Sequence, residues 1–160
     1  MKAKLVVEGK EFDIEILDPK LQELIAPKKT GYERVDNNEC FYHSTSSGNW
    51  IGEDEDVRGA YSNDYYSAAN YYSSKELAIN NIRADKLMRQ LRRFAVEHRT
   101  KDNPNEKFYI YYVKQVGLQI MRSTDKYIGS WFDTLHAASQ AIEAFNDELI
   151  WYFTEYRDSL

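Results

Sequence analysis

NYYSSKELAINNIRADKLMRQLRRFAVEHR, residues 70–99, is the stretch whose reading decides the fold. It opens on two tyrosines and two serines. Ser73 and Glu76 have the spacing of a capping box, in which each side chain satisfies the other's free backbone N–H. Behind them Leu77, Ala84, Met88, Leu91, Ala95 and His98 recur at steps of three and four, interrupted by Asn81. That period predicts an amphipathic helix over about 74–99, nearly 40 Å long at ~1.5 Å per residue. The same arrangement recurs 60 residues later. Ser130-Trp131-Phe132-Asp133-Thr134 supplies an aromatic pair and a capping residue, and Ala138 and Ile142 stand where the first copy has Ala78 and Ile82. The second helix is expected over 134–156, with Leu135, Ala138, Ile142, Phe145, Leu149, Tyr152 and Tyr156 on its apolar stripe.

Strands are expected ahead of each helix. Phe108-Tyr109-Ile110-Tyr111-Tyr112-Val113 is the clearest part of a block over 107–121, followed by a turn near Thr124-Asp125 and a strand ending at Trp131-Phe132. Residues 28–50 are also strand-like, with Asn37-Asn38 and Ser46-Ser47-Gly48 as turn signals. Residues 4–17 read as a hairpin, because Phe12, Ile14 and Ile16 alternate with acids and Gly9-Lys10 supplies the turn. Asp18-Pro19 reads as the cap and first residue of a short helix over about 20–25, ended by Pro27. Residues 52–70 read as a loop or short irregular helix. The expectation is a single α+β domain over 1–160, divided as 1–27, 28–100 and 101–160. It would have antiparallel β-hairpins, two long amphipathic helices on one face and an internal two-fold repeat, the copies joining in one sheet.

With 42% apolar and 14% aromatic residues the chain can bury a core. No run approaches the ~20 apolar residues that span a bilayer, and the first residues meet a charge too soon for a secretory leader. The expected location is therefore the cytosol, without membrane association. The single cysteine, Cys40, agrees. Net charge is -5, which disfavours non-specific nucleic-acid binding overall. Arg83–Arg99 nevertheless carries six cations and two acids, a local +4, leaving -9 elsewhere.

Glycine spacing excludes the common phosphate-binding loops. Cys40 and His43 form C-x-x-H, but alternation on a strand would aim them at opposite faces. The expectation is a buried thiol beside a surface histidine, with no metal. Asp54-x-Asp56-x-Arg58-Gly59 resembles the start of a calcium loop and departs from it at Arg58 and Tyr65, where oxygen ligands are needed. His98 reads as a core or capping residue. No catalytic group and no cofactor are expected. Two surfaces remain. One is acidic and aromatic: Glu53, Asp54, Glu55 and Asp56 followed by Tyr61, Tyr65 and Tyr66, carboxylates that suit a groove built for phosphates and side chains that anchor interfaces. The other is basic: Arg83, Lys86, Arg89, Arg92 and Arg93, with Asp85–Arg89 and Arg93–Glu97 expected as weak i,i+4 pairs.

LDPKLQEL, KKTGYERV, residues 69–99 and DELIWYFTEYRDSL together resemble a family of small accessory proteins encoded by phages and prophages of Gram-positive bacteria, over roughly 17–160. The resemblance assigns no residue roles. It implies a bacterial cytosol and an anti-defence protein, such as an anti-CRISPR. The expected function is inhibition of a host defence protein, a nuclease or its complex, by binding and nucleic-acid mimicry. The alternatives are a nucleic-acid-binding regulator that uses the basic helix, and a structural or assembly accessory protein.

Overall fold

The structure, a computed structural model, describes residues 2–7, 10–21, 30–45, 48–99, 107–123 and 131–156. The chain forms two compact units, Met1–Glu33 and Arg34–Leu160. In the first, β1 (Lys2–Val7) pairs antiparallel with β2 (Lys10–Glu15), with Val7 opposite Lys10. Lys10 is thus a strand residue, and the turn lies outside the described residues. Asp18 Oδ1 accepts from Lys20 N at 2.8 Å, the expected N-cap, and residues 19–21 are helical; the rest of that short helix lies outside the described residues. Near the end of the unit the Glu33 carboxylate accepts from Thr30 N, the Thr30 hydroxyl and Gly31 N. These bonds, chiefly that from Thr30 N, lower its pKa to about 2.

The second unit is α+β and holds two hairpins, each followed by a long helix. Hairpin one pairs β3 (Cys40–Ser44) with β4 (Ile51–Glu55), and α1 (Ala60–Ser67) follows it. After α1 come Tyr72 and the long α2 (Lys75–Glu97). Hairpin two pairs β5 (Lys107–Val113) with β6 (Gly117–Ser123). Then follow Phe132, α3 (Leu135–Trp151) and a π-helical turn, Tyr152–Tyr156.

The expected repeat is matched position by position. Tyr72 forms a two-bond antiparallel bridge to Tyr42 on β3, both bonds 2.8 Å, and Phe132 forms the same bridge to Phe108 on β5, both 2.9 Å. Two residues after each bridge a hydroxyl caps the helix: Ser74 accepts from Leu77 N at 3.4 Å and Thr134 from Ala137 N at 3.0 Å. Four residues further on, Ala78 and Ala138 are both fully buried. A larger side chain at either would hold its helix off its neighbours. The first cap is Ser74, one residue beyond the expected Ser73, and that shift puts it in register with Thr134.

The copies do not merge into one sheet: among the described residues the strands form three separate two-stranded sheets. The hairpins are joined through their helices. α3 lies against β5 and β6, α2 lies against β3, and α2 and α3 touch. The main core comprises Leu87 and Leu91 of α2, Phe132, and Ala138, Ala141 and Leu149 of α3. Phe108, Ile110, Leu118 and Ile120 of hairpin two pack against it from one face. The α2 stripe is displaced from expectation toward Ala78, Ile82 and Leu87. α2 serves two partners along its length: Arg83 reaches α3, and Arg89 reaches hairpin one. Leu135, expected on the stripe, is exposed, since it sits in the first turn ahead of the contact. α3 leaves helical geometry at Phe145 (φ -125°, ψ 22°), where that ring meets Phe94 edge-on at 5.7 Å. Arg83 fastens the helices together: it makes a bidentate pair with Glu148 at 2.8 and 3.1 Å and lies 3.8 Å over the Trp151 ring. No helix among the described residues is long and apolar enough to cross a membrane.

Candidate functional site: an acidic hairpin under a tyrosine helix

Residues 34–67 hold seven acids (Asp36, Glu39, Glu53, Asp54, Glu55, Asp56, Asp64) and two cations (Arg34, Arg58), a net of -5. The acidic run is not the loop expected from its composition. Glu53, Asp54 and Glu55 lie in β4, opposite Tyr42, Phe41 and Cys40. Alternation then separates the run into two kinds of carboxylate. Glu53 and Glu55 share one face and are exposed. Asp54 and Asp56 lie on the side of Phe41 and His43 and are engaged within the protein.

Asp56 is a correction to the sequence expectation of a partner-binding carboxylate. It is fully buried. Arg34 Nε and Nη2 reach its two oxygens at 2.6 and 3.0 Å, Tyr71 OH donates at 2.8 Å and Arg58 N at 2.9 Å. These bonds, Arg34's first, hold the Asp56 carboxyl far below the usual range against the opposing effect of burial. The same cluster pushes Tyr71 up to about 12, mainly by burial and then by the carboxylate it faces. Tyr71 stacks on Phe41 with centroids 4.3 Å apart and planes 7° from parallel. No oxygen of Asp56 is left for a partner, and the calcium-loop likeness fails here too, since Arg34 occupies the carboxylate.

Asp54 is bound to His43, whose Nε2 donates to Asp54 Oδ2 at 2.7 Å while Nδ1 faces Ser44 O at 3.3 Å. The expectation for Cys40 and His43 is inverted. They do lie on opposite faces, but Cys40 is the exposed one and His43 is buried. The imidazole is enclosed by Gly52 beneath, where a methyl group would overlap the ring, and by Tyr65 above at 4.1 Å. Tyr61 OH lies 3.2 Å from Asp54 Oδ2 and 3.4 Å from Tyr65 OH. The Tyr65 contact, then burial and Asp54, raises the Tyr61 pKa, so the phenol stays a neutral donor.

The tyrosines come from α1, a helix with little amphipathic character of its own. Two left-handed residues bracket it, Arg58 (φ 56°) and Ala69 (φ 53°), where L residues pay for the conformation. Arg58 is held by its N–H on Asp56 and its side chain on Val35 O at 2.6 Å. Ala69 closes the far end, with Ala69 N on Tyr66 O and Asn70 N on Tyr65 O, the bonding of a Schellman cap that normally uses glycine. Of the three expected tyrosines, Tyr65 is mostly spent inside on His43. Tyr61 and Tyr66 remain 55% and 45% exposed. The exposed candidates therefore divide between the two faces of hairpin one: Glu53 and Glu55 on the face of Tyr42, and Tyr61 and Tyr66 with α1 on the other, over an inner layer of Phe41, His43, Asp54, Asp56 and Tyr71. Of that layer, His43, Tyr71 and Arg34 were not anticipated. The one sequence signal for it is Gly52, a glycine within a strand, which marks close approach by another group.

The basic candidates divide as well. Arg83 is committed to Glu148 and Trp151. Arg93 pairs with Glu97 at 2.7 Å as expected. Arg89 does not turn to Asp85 but donates to Gly48 O at 3.1 Å, and Arg92 donates to Met88 O. Lys86, Arg89, Arg92 and Arg93 are exposed. His98 is the C-cap of α2, stacked on Phe94 at 3.8 Å with Nδ1 on Phe94 O, and so belongs to the helix end. Among the described residues no group of three or more His, Cys, Asp or Glu side chains is placed to hold a metal ion. No protein family matches the chain, and neither a curated protein nor a solved structure does.

Proposed function

We propose that the protein acts by binding, and that its working part is hairpin one with α1, which presents tyrosines on one face and free acids of β4 on the other. The reading rests on one observation. Tyr61 and Tyr66 stand exposed on α1, on a support that fixes them, and the carboxylates Glu53 and Glu55 stand exposed on the other face of the same hairpin. Tyrosines held in place bury large area at small entropic cost. Carboxylates two residues apart on a strand are about 6.6 Å apart and suit a cationic groove that otherwise receives a phosphate chain. The likeness to phage accessory proteins supports taking the partner to be a host defence protein with such a groove, a nuclease above all, and the protein to be its inhibitor. The enclosure of His43, with Nε2 on Asp54, supports binding over catalysis.

Capture from a bacterial host lysate by immobilised protein tests this, comparing wild type with Glu53→Gln/Glu55→Gln/Tyr66→Ala. All three positions are exposed, so the melting temperature should hold. The expected result is a retained cationic protein whose binding weakens with salt and is lost in the triple variant. Equal retention by wild type and variant would end the proposal.

A further inference from the structure

We infer that the tip of hairpin one and the exposed cations of α2 form a second binding surface, one that takes single-stranded nucleic acid. Trp50 is 75% exposed, the largest side chain so placed. Its backbone is bonded on both sides. Thr45 N donates to Trp50 O at 3.0 Å and Gly48 N to Thr45 O at 2.7 Å, closing the turn. Arg89 Nη2 then bonds Gly48 O at 3.1 Å and ties the turn to α2. An indole is thus held open to solvent beside a row of cations.

That row is Lys86, Arg89 and Arg93, at steps of three and four on one helical stripe, with Arg92 beside it. Lys86 to Arg93 spans about 10 Å, the length of two or three phosphates of one strand at about 3.4 Å each. Two acids share the surface, Asp85 and Glu97. Glu97 is already paired with Arg93, in an exposed pair that a phosphate can replace at little cost. Arg83, fixed to Glu148, is not part of it. A cationic track with an aromatic platform is what single strands require, because the phosphates follow the charge while a base stacks on the ring. A duplex hides its base faces, so an open indole beside the track favours a single strand.

Anisotropy of a labelled 20-nucleotide oligothymidine tests the surface on the full chain. Log affinity should fall with log salt at a slope of about -1.5 to -2, from two or three phosphate contacts at about 0.7 each. Trp50→Ala should weaken binding about tenfold and Trp50→Phe should restore part of it. Lys86→Glu/Arg93→Glu should abolish it with the circular dichroism melt unchanged. Glu53→Gln/Glu55→Gln should leave it intact, which separates this surface from the protein-binding one. The inference is overturned if the strand does not bind at low salt, or if its blunt duplex binds as tightly. It is equally overturned if Trp50→Ala changes nothing, or if polyglutamate competes as well as unlabelled strand.

Discussion

Residues 40–97 and 107–156 follow one plan, a hairpin, an aromatic bridge back to its first strand, a hydroxyl cap and a long helix, yet they cover one face of the hairpin to different extents. In the first copy the bridging residues Tyr42 and Tyr72 are 30 positions apart (72 minus 42), and in the second Phe108 and Phe132 are 24 apart (132 minus 108). The longer connection contains α1. In the first copy α1 covers the hairpin face opposite Tyr42, the face of Phe41 and His43. In the second copy the face opposite Phe108 buries Tyr109 but leaves Tyr111 and Met121 exposed. The shared parts make the core, and α1, which has no counterpart among the described residues of the second copy, makes the tyrosine surface. The lesson is that in a repeated scaffold the place to look for function is where the copies differ.

The copies also lock themselves with different carboxylates, which gives the largest expected effect. Asp56→Asn should cost about 3 kcal/mol or more, because it leaves the largely enclosed Arg34 guanidinium without its counter-charge. Asp133→Asn should cost less, about 1–2 kcal/mol, since its partner Arg99 is 61% exposed and only Lys107 is enclosed. Urea melts of both variants measure the contrast, and equal losses would break it. Acid should report the same group. The native Asp56 pKa is depressed, so its stabilisation is complete above the unfolded value of about 3.9 and is lost as pH falls toward the native one. Wild type should lose stability below about pH 4–5, and Asp56→Asn should flatten that slope.

The hairpin glycines should differ next. Gly52→Ala pushes a methyl into the His43 ring and should cost about 1–3 kcal/mol. Gly117→Ala meets open space and is penalised only for its φ of 89°, by about 1 kcal/mol. Thermal melts should rank them in that order. The caps should agree instead: Ser74→Ala and Thr134→Ala occupy matching positions and should each cost about 1 kcal/mol. A twofold or larger disparity between them would sharpen the comparison by showing that one helix depends more on its start. The smallest effect has the opposite sign. Ala69→Gly relieves a left-handed alanine at the end of α1 and should stabilise by about 0.5–1 kcal/mol in the same melts.

How far the sequence revealed this depended on which force sets each element. The repeat could be read because its markers are local: a hydroxyl that must cap, and an alanine four residues later that must be small. β4 could not, since Glu53-Asp54-Glu55-Asp56 has neither β propensity nor apolar alternation. It is a strand because Asp54 reaches His43 and Asp56 reaches Arg34, and both partners are distant in sequence. The His43–Asp54 pair is diagonal across the hairpin and follows only once the register sets His43 opposite Gly52. α1 was half-legible. Ser62-Asn63-Asp64 argues against a helix, and its packing on the hairpin overrides that propensity. Glu53, Glu55, Tyr61 and Tyr66 remained surface residues as expected, whereas Asp56 became part of the interior and Arg83 part of the helix–helix contact.

The central claim is that the working surface belongs to the first copy, where α1 lies over hairpin one. Titrating the captured partner against two variants tests it most directly: Glu53→Gln/Glu55→Gln/Tyr66→Ala on the first copy, and Tyr111→Ala/Met121→Ala on the exposed face of hairpin two. The account predicts that the first variant loses at least tenfold in affinity, through its rigid tyrosine and its two charges, while the second binds as wild type does. Loss in the hairpin-two variant with full binding by the acidic one would contradict it.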